Sequence, residues 1–268
     1  MSRNYEMKNF DLPVDKNQNA QYIPITVLIG LVGILLITIY NSAFKKGRFT
    51  CDKYILNTYL YILLAILIVI LEVLLFEYND VKVVDIYGNL TGWLPIILTF
   101  VVIIGLLIAT MMIDPKNVLL KHIVYFTFIL STGLLVYPSY TIAKNNNVIL
   151  QVLFSLVGIL VFFSAVAFAK PEWISLSWGP VLLFLLIGAI IALIVSYIVG
   201  RKNKRNRVPK SLSYFIIGLF ILFILYDTKL IQVHAKTCSV KTADYINESL
   251  GIFIDALNLF QQLVNVNT

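Results

Sequence analysis

The chain has 268 residues, of which 59% are hydrophobic and 13% charged, with a mean hydropathy of +0.87 and a net charge of +7. These values lie outside the range of soluble globular domains and exclude a large soluble domain. At roughly 20 apolar residues per crossing, the length accommodates about seven or eight membrane spans.

Residues 1–21 (MSRNYEMKNFDLPVDKNQNAQ) are polar and read as a flexible tail. The apolar run that follows, 22–44, is too long for a signal-peptide core and is expected to be a membrane helix. Further long apolar runs fall at 54–76, 93–113, 118–141, 148–169, 178–199 and 211–233, and a weaker segment at 244–266. Each is about twice the length of a barrel strand and none alternates, which argues for helices. Short connections make consecutive helices antiparallel neighbours. The expected fold is therefore an all-α, polytopic transmembrane helical bundle.

Charge does not orient it. Lys and Arg number nine on one side of the expected topology and eleven on the other, nearly a tie under the positive-inside rule. Six of the eleven, Arg201, Lys202, Lys204, Arg205, Arg207 and Lys210, crowd one connection. Between two spans such a run suits anionic lipid headgroups rather than nucleic acid. Cys51 and Cys238 share no metal-ligand spacing with His122 or His234, and neither zinc nor a disulfide is expected. The sequence carries no GxSxG, HExxH, GxxxxGK[ST] or GxGxxG motif, so no enzyme and no resident cofactor is expected. Asn89-Leu-Thr91 matches the glycan acceptor pattern.

Ionisable residues at membrane depth are costly and mark function. Glu72 and Lys229 stand near span ends, within reach of the interface. Asp227 stands about 9 Å from the end of its helix, too deep for a short side chain to reach water, and needs a partner inside the bundle. In segment 244–266 the polar or small residues Asn247, Glu248, Gly251, Asp255, Asn258, Gln262 and Asn265 form one stripe, with Asp255 near the middle. A helix lying flat in the interface would show such a stripe, but would favour Lys and Arg, and none occurs between 242 and 268. The hairpin through 234–243 brings Asp227 and Asp255 to comparable depth. Two carboxylates about 5 Å apart repel by roughly 3 kcal/mol at an effective dielectric near 20, enough for the pair to share one proton near neutral pH. Deprotonated, they have a use for a cation. Calcium needs six to eight oxygens, so the two aspartates, Asn258, backbone carbonyls and water make at most a weak, transient site.

These residues carry a resemblance. Tyr226-Asp227-Thr228-Lys229-Leu230-Ile231, followed by Tyr245 and by Phe253-Ile254-Asp255-Ala256-Leu257-Asn258-Leu259-Phe260, resembles the paired [FY]DTQ-x-I and LYLDxxNLF elements of the transmembrane BAX inhibitor motif family. The likeness extends upstream through 128–139 and 153–170. It implies a seven-helix core within 45–268, preceded by one extra helix at 22–44. It also implies a cation leak, chiefly of calcium, gated by Asp227 and Asp255 as a pH-sensing pair and modulating cell death, with Tyr226, Lys229, Asn258 and Glu248 as supporting polar groups. Partners would be the bilayer, protons or calcium, and proteins within the membrane, which would be internal and endoplasmic-reticulum-like, or that of a virion or bacterium. Lys229 stands where the family has Gln, and 93–113 has no Arg to hold the aspartates. The family core starts from the cytosol, which would make the 45–53 connection cytosolic. A structural protein of a virion or organelle membrane, reusing the scaffold without transport, is the alternative reading.

Overall fold

The computed structural model describes residues 18–82, 94–202, 208–239 and 243–268. Most of the N-terminal tail, Asn89, and the cations Lys204, Arg205 and Arg207 lie outside the described residues. The described chain forms eight long helices: α1 (Gln18–Ala43), α2 (Tyr54–Tyr78), α3 (Leu94–Met112), α4 (Val118–Asn145), α5 (Ile149–Ala169), α6 (Trp178–Lys202), α7 (Lys210–Thr237) and α8 (Tyr245–Asn267). Six of the helices contain a stretch long and apolar enough to cross a membrane. The chain is an integral, multi-pass membrane protein with an all-α bundle.

Several helices outrun their apolar runs, α4 and α7 furthest at their C-terminal ends. α4 and α7 are each 28 residues long, or about 42 Å, against a hydrocarbon core of about 30 Å. Intrahelical hydrogen bonds satisfy the backbone equally well in headgroups and in lipid, so polarity alone does not end a helix. The last turns of α7 therefore carry His234 and Lys236 beyond the span expected from hydropathy. A second departure is small: Phe44–Lys45 and Arg48–Phe49 pair as an antiparallel hairpin, labelled β1 and β2. Lys46 and Gly47 turn it with φ of 54° and 71°, the left-handed conformation that two-residue hairpins require.

α8 is the centre of the bundle. It packs most extensively on α7 and also against α2, α5 and α4. An interfacial helix would be half exposed, whereas Tyr245, Ile246, Phe253 and Leu259 of α8 are completely buried. Asp244 caps its N-terminus by accepting the Asn247 N–H at 3.1 Å. This helix is too polar to qualify as a span by itself. The surrounding helices replace lipid around it, and close packing in place of hydrocarbon solvation holds it at depth.

α1 is peripheral, touching α2 and the hairpin. Asn57 of α2 joins it at one end, accepting from Ser42 Oγ at 2.6 Å and donating to the Ser42 carbonyl at 3.2 Å. Towards α4, α1 leaves a cleft of about 840 Å³, lined by Leu36, Tyr40, Leu64, Leu119, His122 and Phe126 among others.

Candidate functional site: a carboxylate seam between the last two helices

The two faces of the bundle can be told apart by their polar anchors. One face holds the ends of α1, α3, α5 and α7 and the starts of α2, α4, α6 and α8. The opposite face holds the reverse ends, where Lys210 Nζ donates to the Val266 carbonyl at 3.0 Å and Gln151 Nε2 to Asn267 Oδ1 at 2.9 Å.

On the first face, the ends of the helices are locked. Lys121, fully buried, pairs with Asp244 at 2.6 Å and donates to the Ile113 carbonyl at 2.9 Å, tying α4 to the start of α8 and the end of α3. Burial holds the Asp244 carboxyl above the usual carboxylate range, although the Lys121 ammonium acts in the opposite direction. Phe49, Tyr61, His122, Tyr125 and Tyr245 form an aromatic cluster behind this pair, with Phe49 edge-on to Tyr61 and Tyr245 and Tyr61 stacked on Tyr245. His122 engages the Tyr61 hydroxyl through Nε2 and the Val118 carbonyl through Nδ1, each at 2.7 Å.

Cys51 and Cys238 form a disulfide on this face, with Cα atoms 5.8 Å apart. This corrects the expectation of no disulfide. The residues are 187 positions apart in sequence, and only the antiparallel return of α7 beside the start of α2 brings them within bridging distance. No cluster of three or more His, Cys, Asp or Glu side chains suited to a metal occurs among the described residues.

Asp227 and Asp255 meet in the seam where α7 crosses α8. The Asp227 carboxylate stands over Gly251, where any Cβ would collide with its Oδ2. Gly251 lies one turn before Asp255 on the same helix face, so both carboxyls belong to one groove. Asp255 is 4% exposed, and its Oδ2 has no hydrogen-bond partner. The nearby polar groups are committed elsewhere: the Thr228 hydroxyl is 2.9 Å from that of Tyr59 and 3.4 Å from that of Ser164, and Gln232 Nε2 donates to the Ala167 carbonyl at 3.0 Å.

The supporting residues divide. Glu248 accepts from His234 Nδ1 at 2.7 Å, one turn before Gly251 and towards the disulfide face. Tyr226 packs against Gly179 of α6, away from the seam. Asn258 Nδ2 donates to the Ile254 carbonyl of its own helix at 2.9 Å. Lys229 forms no ion pair among the described residues, and Arg201 and Lys202 end α6 on the face opposite the disulfide. Glu72, instead of reaching the interface, lies against Gly133 of α4, where a Cβ would collide with it, and its buried Oε2 has no partner. Towards the opposite face from Glu248, an apolar cavity of about 130 Å³ lies between α2, α4, α5 and α8, lined by Val69, Val73, Leu156, Leu160, Ala256 and Phe260 among others.

A central helix that only its neighbours keep in the membrane, carrying a buried acid opposite another on the next helix, defines a polytopic protein built around an intramembrane acidic seam. The family model described as "Inhibitor of apoptosis-promoting Bax1" matches residues 51–266, and the chain belongs to this Bax-inhibitor-like membrane family. Neither curated proteins nor solved structures gave a match. The family match begins at Cys51, after α1 and the hairpin.

Proposed function

We propose that this protein is a cation leak, with calcium as cargo, gated by the charge state of the Asp227–Asp255 pair. The observation that carries the reading is Asp255, a buried carboxyl with an unpartnered oxygen in the groove occupied by Asp227. With one proton between them the carboxyls tolerate close packing of α7 on α8. With both ionised they repel, and the seam either widens or takes up a cation. On this reading the closed form is the one in which α7 packs closely on α8 around the pair.

On this reading the protein is a channel rather than an enzyme and has no resident cofactor. It would influence cell death through the calcium content of an internal, endoplasmic-reticulum-like membrane compartment, or serve a virion or bacterial membrane in the same chemical role. Calcium-sensitive dye inside proteoliposomes of the full chain tests it: influx should rise as external pH moves from about 6 to 8. A wild-type protein that passes no calcium at any pH, while a conducting relative run in parallel does, would favour the structural role.

A further inference from the structure

Glu248 is the least expected member of the seam. On α8 it precedes Gly251 by one turn and Asp255 by two, a rise of about 10 Å from Glu248 to Asp255. Asp227 of α7 stands between them, over Gly251. The three carboxylates thus form a file from the disulfide face to the middle of the bundle. Its outer end is accessible: the His234 side chain, hydrogen-bonded to Glu248, is 44% exposed, and that of Glu248 15%. Its inner end is Asp255, with the unpartnered oxygen.

The charged and titratable groups around Glu248 are His234 and Asp227 from α7, Tyr54 from α2, and Asp244 on its own helix. Asp244 is neutralised by Lys121. Among the described residues that leaves Glu248, Asp227 and Asp255 with a single basic neighbour, His234, an excess of negative charge that suits the attraction of a cation. Tyr54 and His234 hold the Glu248 carboxylate at the mouth, while the missing side chain at Gly251 lets the Asp227 carboxylate lie against α8 one turn from Glu248.

We propose that Glu248 is an outer binding station for a divalent cation, which passes from it to Asp227 and Asp255. The proposal rests on the leak reading for its purpose but has its own test. Calcium binding to the purified full-length protein, by equilibrium dialysis, is measured beside calcium influx into proteoliposomes, for wild type and Glu248→Gln. The variant should raise the calcium concentration for half-maximal influx about tenfold, the equivalent of one lost carboxylate contact, and weaken binding in parallel, while the rise of influx with pH persists. His234→Gln, which removes the imidazole and keeps Glu248, should leave or lower the half-maximal concentration. Wild-type influx that is indifferent to Glu248→Gln overturns the station and leaves the leak. Binding that weakens in Glu248→Gln without any wild-type influx supports the station and removes the leak. No calcium binding by wild type overturns the station, and the leak then stands or falls by wild-type influx.

A second inference comes from different residues. Structural disulfides persist in oxidising compartments and are rare in the cytosol. The Cys51–Cys238 bridge joins the start of α2 to the end of α7. The connection from α6 to α7, in which six Lys and Arg crowd together, joins helix ends on the opposite face, and since the Lys and Arg totals of the two faces are nearly tied, the disulfide carries the orientation. We infer that the disulfide face, and with it the mouth at Glu248, is extracytosolic. This orientation is the reverse of the one the family resemblance implies, and α1 supplies the additional crossing that reverses it. Protein from native membranes, alkylated before unfolding, should show no free thiol. In a Cys51→Ser, Cys238→Ser background, Asn206→Cys should react with an impermeant maleimide only from the cytosolic side. Free thiols at both native positions, or labelling of Asn206→Cys from the extracytosolic side, would overturn the orientation.

Discussion

The two halves of the seam around α8 are built from opposed chemistry. Towards the disulfide face, Glu248, Asp227 and Asp255 follow one another along the groove, and Lys121, Asp244 and the Cys51–Cys238 bridge fasten the helix ends around them. Towards the other face α8 meets α2 and α5 through Val73, Leu156, Ala256 and Phe260, with no charged group lining the cavity between them. The polar half is held together by specific pairs and the apolar half by close packing. Losing one partner should therefore be costly in the first, whereas a small loss of volume in the second should mainly admit water.

The largest effect is expected from Lys121→Met. It leaves Asp244 buried without its ammonium, and breaking a buried pair at one end costs about 3–5 kcal/mol. Thermal unfolding in detergent should show a marked loss, and Lys121→Met with Asp244→Asn should recover much of it. Gly251→Ala comes next, since its methyl displaces the Asp227 carboxylate, an overpacking cost of about 1–3 kcal/mol. Gly133→Ala, which meets Glu72 in the same way, should cost a similar amount. The two should differ in calcium influx: only Gly251→Ala should flatten its pH response.

In the apolar half, Phe260→Ala enlarges the cavity beside α8 and, on the leak reading, should raise calcium influx at low pH, where wild type is nearly closed. The same truncation should cost about 3–5 kcal/mol if the site cannot collapse, so influx is to be compared at a temperature where both proteins remain folded. Lys229→Gln should have the smallest effect. Lys229 is in no ion pair among the described residues, and the influx–pH curves of variant and wild type should superimpose.

Much of the bundle was legible because membrane spanning imposes long uninterrupted apolar runs. The stripe on 244–266 was legible too, and so was the comparable depth of Asp227 and Asp255 across the 234–243 hairpin, whereas the seat of the Asp227 carboxylate over Gly251 was not. The ends of the helices were not. Hydropathy stops α7 at 233, but the helix continues to Thr237, which is how His234 comes to face Glu248. Lys121 was concealed by its position, three residues into an apolar run, where a long side chain ordinarily reaches the headgroups; here it turns inward because Asp244 and the Ile113 carbonyl receive it. The disulfide was invisible to spacing rules because its partners are joined by the whole core rather than by a local motif. Glu72 shows the converse: shallow enough to reach water, it instead fills the space left by Gly133, a pairing that requires knowing which helices touch.

The central claim is that Asp227 and Asp255 act through their shared charge. It is tested most directly by calcium influx between pH 6 and 8 for wild type, Asp227→Asn and Asp255→Asn, each reconstituted at equal density. The account predicts that wild-type influx rises steeply with pH and that either substitution, by removing the repulsion, flattens the response or moves it to lower pH. Steep curves of wild-type shape and midpoint in both variants would contradict it.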